Sequence, residues 1–246
     1  MTDLKYELTS ESKSFEGITL FRIRALRDFG HVKSGDLGGW VEKEQNLSHE
    51  GGAWIFGKAQ VFGKARVYGE ALVYGKALVY GKARVYGKAR VSGDAWIFGK
   101  AQVFGKALVY GKALVYGEAR VYGKALVSEG AWIFGKARVY GEALVYGKAR
   151  VYGGAWVSEG RYTETVINLI LPQYSITVLS TGKLQIDCQL KTIEEWKSTT
   201  LEDIVKMGLK EENYELFMHM IKGFLSLDDK YFEGNQSHPI KEKRND

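Results

Sequence analysis

A chain of 246 residues with 45% hydrophobic side chains can bury one or two cores, which excludes a wholly disordered polymer. A lone cysteine, Cys188, excludes an intramolecular disulfide and fits a reducing compartment. The net charge of +6 is unevenly divided: residues 51–158 hold eleven lysines and six arginines against five acidic residues, a net +12, and the rest carries −6.

Met1–Ser14 lacks the basic-then-apolar order of a secretion signal, so none is expected. No run of about 18 uncharged apolar residues occurs, so no membrane partner is expected. Residues 1–50 read as an N-terminal β cap. Within them Ile18–Leu26, "ITLFRIRAL", alternates Phe21, Ile23 and Ala25 with Arg22 and Arg24, which predicts a strand with one basic face. Gly35–Trp40, "GDLGGW", marks a turn-rich segment, and Asn46-Leu47-Ser48 leads into a repeat. A cap is needed there because an open solenoid end exposes core and unpaired backbone.

From Gly51 to Ser158 the chain repeats every six residues, for 18 hexads such as GKARVY and GEALVY. Alanine holds the third place of each hexad and valine or isoleucine the fifth. Two residues apart on a strand, both point to one side. An aromatic or serine, a glycine and usually lysine or glutamate complete the unit, and glycine accepts the turn that follows each short strand. Helical spacing of three and four is absent.

This pattern resembles the hexapeptide-repeat family, whose members form left-handed parallel β-helices with three hexads per triangular coil. Val67 and Ala71 match the family's aliphatic and small positions, whereas Gly69 falls one place later than its commonest glycine. The resemblance implies a mainly β fold: a left-handed parallel β-helix of six coils, with an N-terminal cap and a small C-terminal strand-plus-helix domain. At about 4.8 Å per coil the prism would be roughly 29 Å long.

Three hexads per coil would stack residues eighteen apart, which sorts the outward residue between Ala and Val into three faces. The first reads Trp54, Leu72, Arg90, Leu108, Leu126 and Leu144; the second Gln60, Leu78, Trp96, Leu114, Trp132 and Arg150; the third Arg66, Arg84, Gln102, Arg120, Arg138 and Trp156. Beside the third lie Tyr68, Tyr86, Phe104, Tyr122 and Tyr140, with turn neighbours Lys64, Lys82, Lys100, Glu118 and Lys136. Arginine and tyrosine in register are candidates to bind phosphates and stacked bases, hence a nucleotide or nucleic acid. The same ladders also suit an ordinary solvated sheet. On the other faces, Trp54, Leu72, Leu108, Leu126, Leu144, Trp96 and Trp132 form apolar strips that predict a subunit interface, one of them partly covered by the flanks. The family resemblance implies a homo-oligomer, with a trimer favoured.

Residues 159–233 read as a C-terminal α+β domain and 234–246 as a polar tail. Ile176–Leu179 and Leu184–Cys188 flank a hairpin turn, Ser180–Lys183. Thr192 with Glu195, and Thr199 with Glu202, have capping-box spacing. Glu211–Leu227 carries Tyr214, Phe217, Ile221, Phe224 and Leu225 at helical spacing. The segments "RIRALRDFG", "GDLGGWVE", "NLSHEGGAW" and "IDCQLKTIEEW" resemble prophage-type hexapeptide-repeat proteins. The role of such proteins is mostly unassigned; the resemblance implies a phage-encoded viral protein in the cytoplasm of a bacterial host. Together with the +12 body it suggests a protein that binds a nucleotide signal or a host protein and antagonises defence.

Many hexapeptide-repeat proteins are acyltransferases that use a histidine base beside the coil. Of His31, His49, His219 and His238 none lies within residues 51–158, and no loop interrupts the hexads. His49 alone borders the repeat, where a capping role competes with a catalytic one. The cysteine and scattered histidines give no metal-ligand spacing, so no metal, cofactor or catalytic residue is assigned. The expectation is a non-catalytic binding protein, with a self-associating scaffold and an acyltransferase as alternatives.

Overall fold

The computed structural model describes residues 4–163, then 168–170, 175–178, 183–186, 189–206, 208, 214, 215 and 218. Two compact units divide at Asn168 and Leu169.

The first unit is a parallel β-solenoid. Each hexad contributes a two-residue strand, and strands pair at intervals of eighteen: Arg84 with Gln102 and Gln102 with Arg120 on one sheet, Leu72 with Arg90 on another, Leu78 with Trp96 on the third. All three expected columns form. The reason is visible in the backbone. Arg84 N–H donates to Ala101 carbonyl at 2.9 Å and Tyr86 N–H to Val103 carbonyl at 3.0 Å, so each strand is satisfied by the next coil. Every alanine and every valine or isoleucine of the hexads is fully buried. Stacking of these small and branched side chains lines the interior along the hexads with aliphatic groups.

Glycine closes each corner with a positive φ, such as +66° at Gly93. A Cβ there would lie 2.8 Å from the amide nitrogen of Gly111 one coil on. Sterics as well as conformation therefore demand glycine. The exception is Glu129, at φ 56°, where the sequence transposes to Glu129-Gly130.

The solenoid is longer than the hexads suggest, with about seven turns rather than six. At its N-terminal end Trp40 pairs with Gln60, Val41 with Val61 and Leu47 with Val67, intervals of twenty. At the other end Arg161 pairs with Leu144 and Tyr162 with Val145, an interval of seventeen. These coils lack the hexad wording but continue the same ladders.

The cap is part of the solenoid's own sheet. Strands β1 (Tyr6–Phe15), β2 (Ile18–Ala25) and β3 (Leu37–Val41) join antiparallel and continue one face into a nine-stranded sheet. Gly38 and Gly39 let β3 lie close: a Cβ on either would come within 2.5 Å of Ile23 or Ile55. The predicted alternation in β2 holds at Ile23 and Ala25, both buried. A register shift between Arg22 and Arg24 leaves Phe21 half-buried and buries Leu20 instead. The basic face is neutralised by Glu11 on Arg22, at 3.2 Å, and Glu7 on Arg24.

Two buried polar side chains close the open end. Asn46 donates to the carbonyls of Gly63 and Ala65, at 3.2 and 2.9 Å, and accepts from Lys43 N–H at 3.0 Å. Lys5 donates to the carbonyls of Ala53 and Gly51, at 2.8 and 3.4 Å. Burial, with Arg27 nearby, lowers the Lys5 ammonium to about 8.

In the second unit, strands Ser175–Val178, Lys183–Ile186 and Gln189–Thr192 pair antiparallel, as the hairpin signal predicts. Thr192 and Glu195 form the expected capping box on helix α1 (Ile193–Lys197). The second box is displaced by one residue. Thr200 and Asp203, not Thr199 and Glu202, cap α2 (Leu201–Lys206), with Asp203 N–H donating to Thr200 Oγ1 at 3.2 Å. The Thr199 hydroxyl is engaged elsewhere: it donates to Glu195 carbonyl at 2.9 Å and caps the end of α1. Cys188, most of the predicted helix Glu211–Leu227 and the tail lie outside the described residues. Among the described residues no helix is long and apolar enough to cross a membrane.

Candidate anion-binding face

The third sheet gathers the cations. Arg66, Arg84, Arg120 and Arg138 sit on it with Lys64, Lys82, Lys100 and Lys136 at the preceding corner and Glu118 the one acid among them. That is a net +7 of the repeat's +12 on one face. Arg66, Arg84 and Arg120 are exposed and, among the described residues, make no ion pair. Arg138 lies over the Trp156 ring at 4.4 Å and is half-buried. Lys100 pairs with Glu118 at 2.8 Å.

The aromatic row is continuous. Tyr68, Tyr86, Phe104 and Tyr122 stack at 4.8 Å between successive centroids, within 4° of parallel, and Tyr140 follows at 5.2 Å. This corrects one expectation. A base inserted between rings needs about twice the ring spacing of a tight stack, so the inner ring faces are closed to nucleobases by one another. What the row offers is edges and hydroxyls. Tyr86 hydroxyl donates to Gln102 Oε1 at 3.2 Å. Burial raises the Tyr86 and Tyr122 phenols above their ordinary value, although Arg84, Arg120 and Arg138 pull the other way, so both remain protonated donors.

At the N-terminal end this face deepens into a groove of about 540 Å³, lined by Lys43, Ser48, His49, Lys64, Arg66 and Tyr68 among others. Sequence reasoning assigned Arg66, Tyr68 and Lys64 but missed Lys43 and Ser48. Ser48 lies in the run "NLSH" just before the hexads, and Lys43 in the charged run "EKE" ahead of it. The groove exists because the first coil takes twenty residues to close.

His49 is held rigidly. Its Nδ1 accepts the Lys5 amide at 3.2 Å, and its ring stacks on Tyr6 at 4.3 Å. An amide can only donate, so Nδ1 is unprotonated and the neutral ring carries its proton on Nε2. Nε2 is buried and, among the described residues, has no hydrogen-bond partner. Both nitrogens are thereby disposed against general-base work. Burial is the largest influence on the imidazole and lowers its pKa from 6.5, with Glu44 opposing and Lys5 and Arg27 assisting. The folded state therefore resists a proton that the unfolded chain accepts, and stability is lost as pH falls below about 6.5. Between pH 7 and 5 the melting temperature of the native chain should fall further than that of His49→Gln. Equal falls would contradict the strained neutral imidazole.

The candidate interface residues part company. Trp54 is only 1% exposed: Phe29 and Tyr6 meet its ring edge-on at 5.3 and 6.1 Å. The chain's own cap covers it, so it is removed from the predicted subunit interface. Leu72, Leu108, Leu126 and Leu144 remain half-buried in one column, while Trp96 and Trp132, on another face, are 43% and 37% exposed. Arg150 lies over the Trp132 ring at 4.8 Å. Among the described residues no cluster of three or more His, Cys, Asp or Glu could hold a metal.

Fold and face together define a parallel β-solenoid with most of the repeat's net positive charge on one wall. Residues 137–153 match the family described as YdcK beta solenoid repeat. The chain is 35% identical over 60 residues to "Uncharacterized acetyltransferase YdcK" of Escherichia coli strain K12, covering 21% of this chain and 18% of that protein. The match thus spans under a fifth of that relative's length.

Proposed function

We propose that this solenoid is a non-catalytic binding protein that holds a phosphate-bearing polyanion along the arginine face. The observation that carries the reading is the row of Arg66, Arg84 and Arg120, exposed and without ion pairs among the described residues, on the wall that concentrates the repeat's charge. Guanidinium groups recognise phosphate oxygens in pairs, and phenol hydroxyls add neutral donors. Because the inner ring faces are covered, the backbone of a nucleotide or nucleic acid would be read rather than its bases.

The test is binding of a fluorescent single-stranded oligonucleotide and of inorganic polyphosphate to the chain and to Arg66→Gln/Arg84→Gln/Arg120→Gln. Gln102 already occupies the same column, so the variant should fold. Affinity should drop at least a hundredfold at 50 mM salt, and the salt slope for the single-stranded oligonucleotide should decrease by about 2. Unchanged binding, or none by the native chain, would defeat the reading.

A second reading, acetyl transfer, is supported by the name of the YdcK relative over its short match. The His49 tautomer weighs against it. Acetyl-coenzyme A turnover lost in His49→Gln would favour it.

A further inference from the structure

We propose a second binding site, independent of the arginine face, for a small amphipathic carboxylate. It is a cleft of about 380 Å³ between the loop after β2 and the first face, within the size range of small-molecule pockets. Val32, Phe56 and Leu72 supply apolar wall, and Arg90, Lys88 and His31 stand around it.

Two departures from the repeat meet here. Arg90 stands in the column where Leu72, Leu108, Leu126 and Leu144 are apolar. It is exposed and, among the described residues, has no ion pair. Gly52 stands where most hexads carry lysine or glutamate. The nearest atom to a Cβ built there is Glu70 Cγ at 3.9 Å, so the absent side chain leaves room rather than relieving a clash.

The loop wall is fixed. Phe29 and Val32 exchange backbone hydrogen bonds at 3.0 and 2.8 Å, and Phe29 packs on Trp54. Glu70, the acid in the cleft, is already matched by Lys88 at 3.4 Å. One guanidinium is therefore left facing an apolar recess. A carboxylate on Arg90 with a hydrocarbon body against Val32, Phe56 and Leu72 satisfies both halves. An uncharged body would leave Arg90 unmatched, and a bare anion would leave the apolar wall wet.

Isothermal titration calorimetry with octanoate, acetate and octylamine tests this. Octanoate should bind saturably with one site per chain, and acetate and octylamine should bind at least tenfold more weakly. Arg90→Leu restores the apolar column, so it should keep the melting temperature and lose at least tenfold in octanoate affinity. Gly52→Leu should fill the recess and abolish binding while leaving Arg90 in place. No saturable octanoate binding, equal binding of acetate or octylamine, or unchanged binding by both variants would each overturn the site. None of these results depends on polyanion binding by the arginine face.

Discussion

Val103→Asp should strip the chain of the solenoid's share of its β-sheet circular-dichroism signal at 25 °C. Val103 is fully buried and pairs with Val85 below and Val121 above, in the middle of the stack. A carboxylate there meets alanine and valine only. Burying an unpaired charge is among the few single changes that cost more than about 4 kcal/mol, a large part of the stability of an ordinary domain. The solenoid raises the stakes because each coil touches only its neighbours, so a lesion in the middle cuts the stack into two short pieces. Val157→Asp, on the last hexad, tests the same chemistry at the edge. It should stay folded with a lower urea midpoint, because only the terminal coil is surrendered. A normal melt for Val103→Asp would mean that the interior admits water.

The hexad made the core and the three columns legible, because Ala and Val two residues apart can only share a side of a strand. The closure number of three came from the family likeness, and the eighteen-residue pairing matches it. Sequence wording was a poorer guide to environment. "WIFGKAQVF" occurs verbatim at 54–62 and 96–104, yet Trp54 is buried under the cap and Trp96 is 43% exposed. The copies are not separated by a whole number of coils, so they fall on different faces. The end coils were hidden for a related reason. Their intervals of twenty and seventeen depend on backbone pairing, which side-chain periodicity does not encode. The capping role of Asn46 and the groove beside it follow from that first long coil. The tyrosine row was legible as a row, but its closed ring faces follow from a coil rise close to ring-stacking distance.

Two deletions separate the coil from the hexad as the unit of function. Removing residues 81–98 takes out one whole coil, and removing 87–98 takes out two hexads. Both leave every remaining alanine and valine in core phase, so both should fold, with melting temperatures a few degrees below the native chain. Their outer walls differ. After the first deletion Arg66 is followed in its column by Gln102, Arg120 and Arg138. After the second, Arg66 and Arg84 continue into Leu114 and Trp132, and Arg120 and Arg138 move to another face. The first deletion costs three net positive charges and the second only one. If net charge alone attracts a polyanion, the shorter deletion should bind better. If an aligned row holds it, the order reverses: the 18-residue deletion should lose only severalfold in polyphosphate affinity and the 12-residue deletion at least tenfold. Tighter binding by the 12-residue deletion would show that the arginines act as a diffuse field, and the wall would lose its claim to be a site.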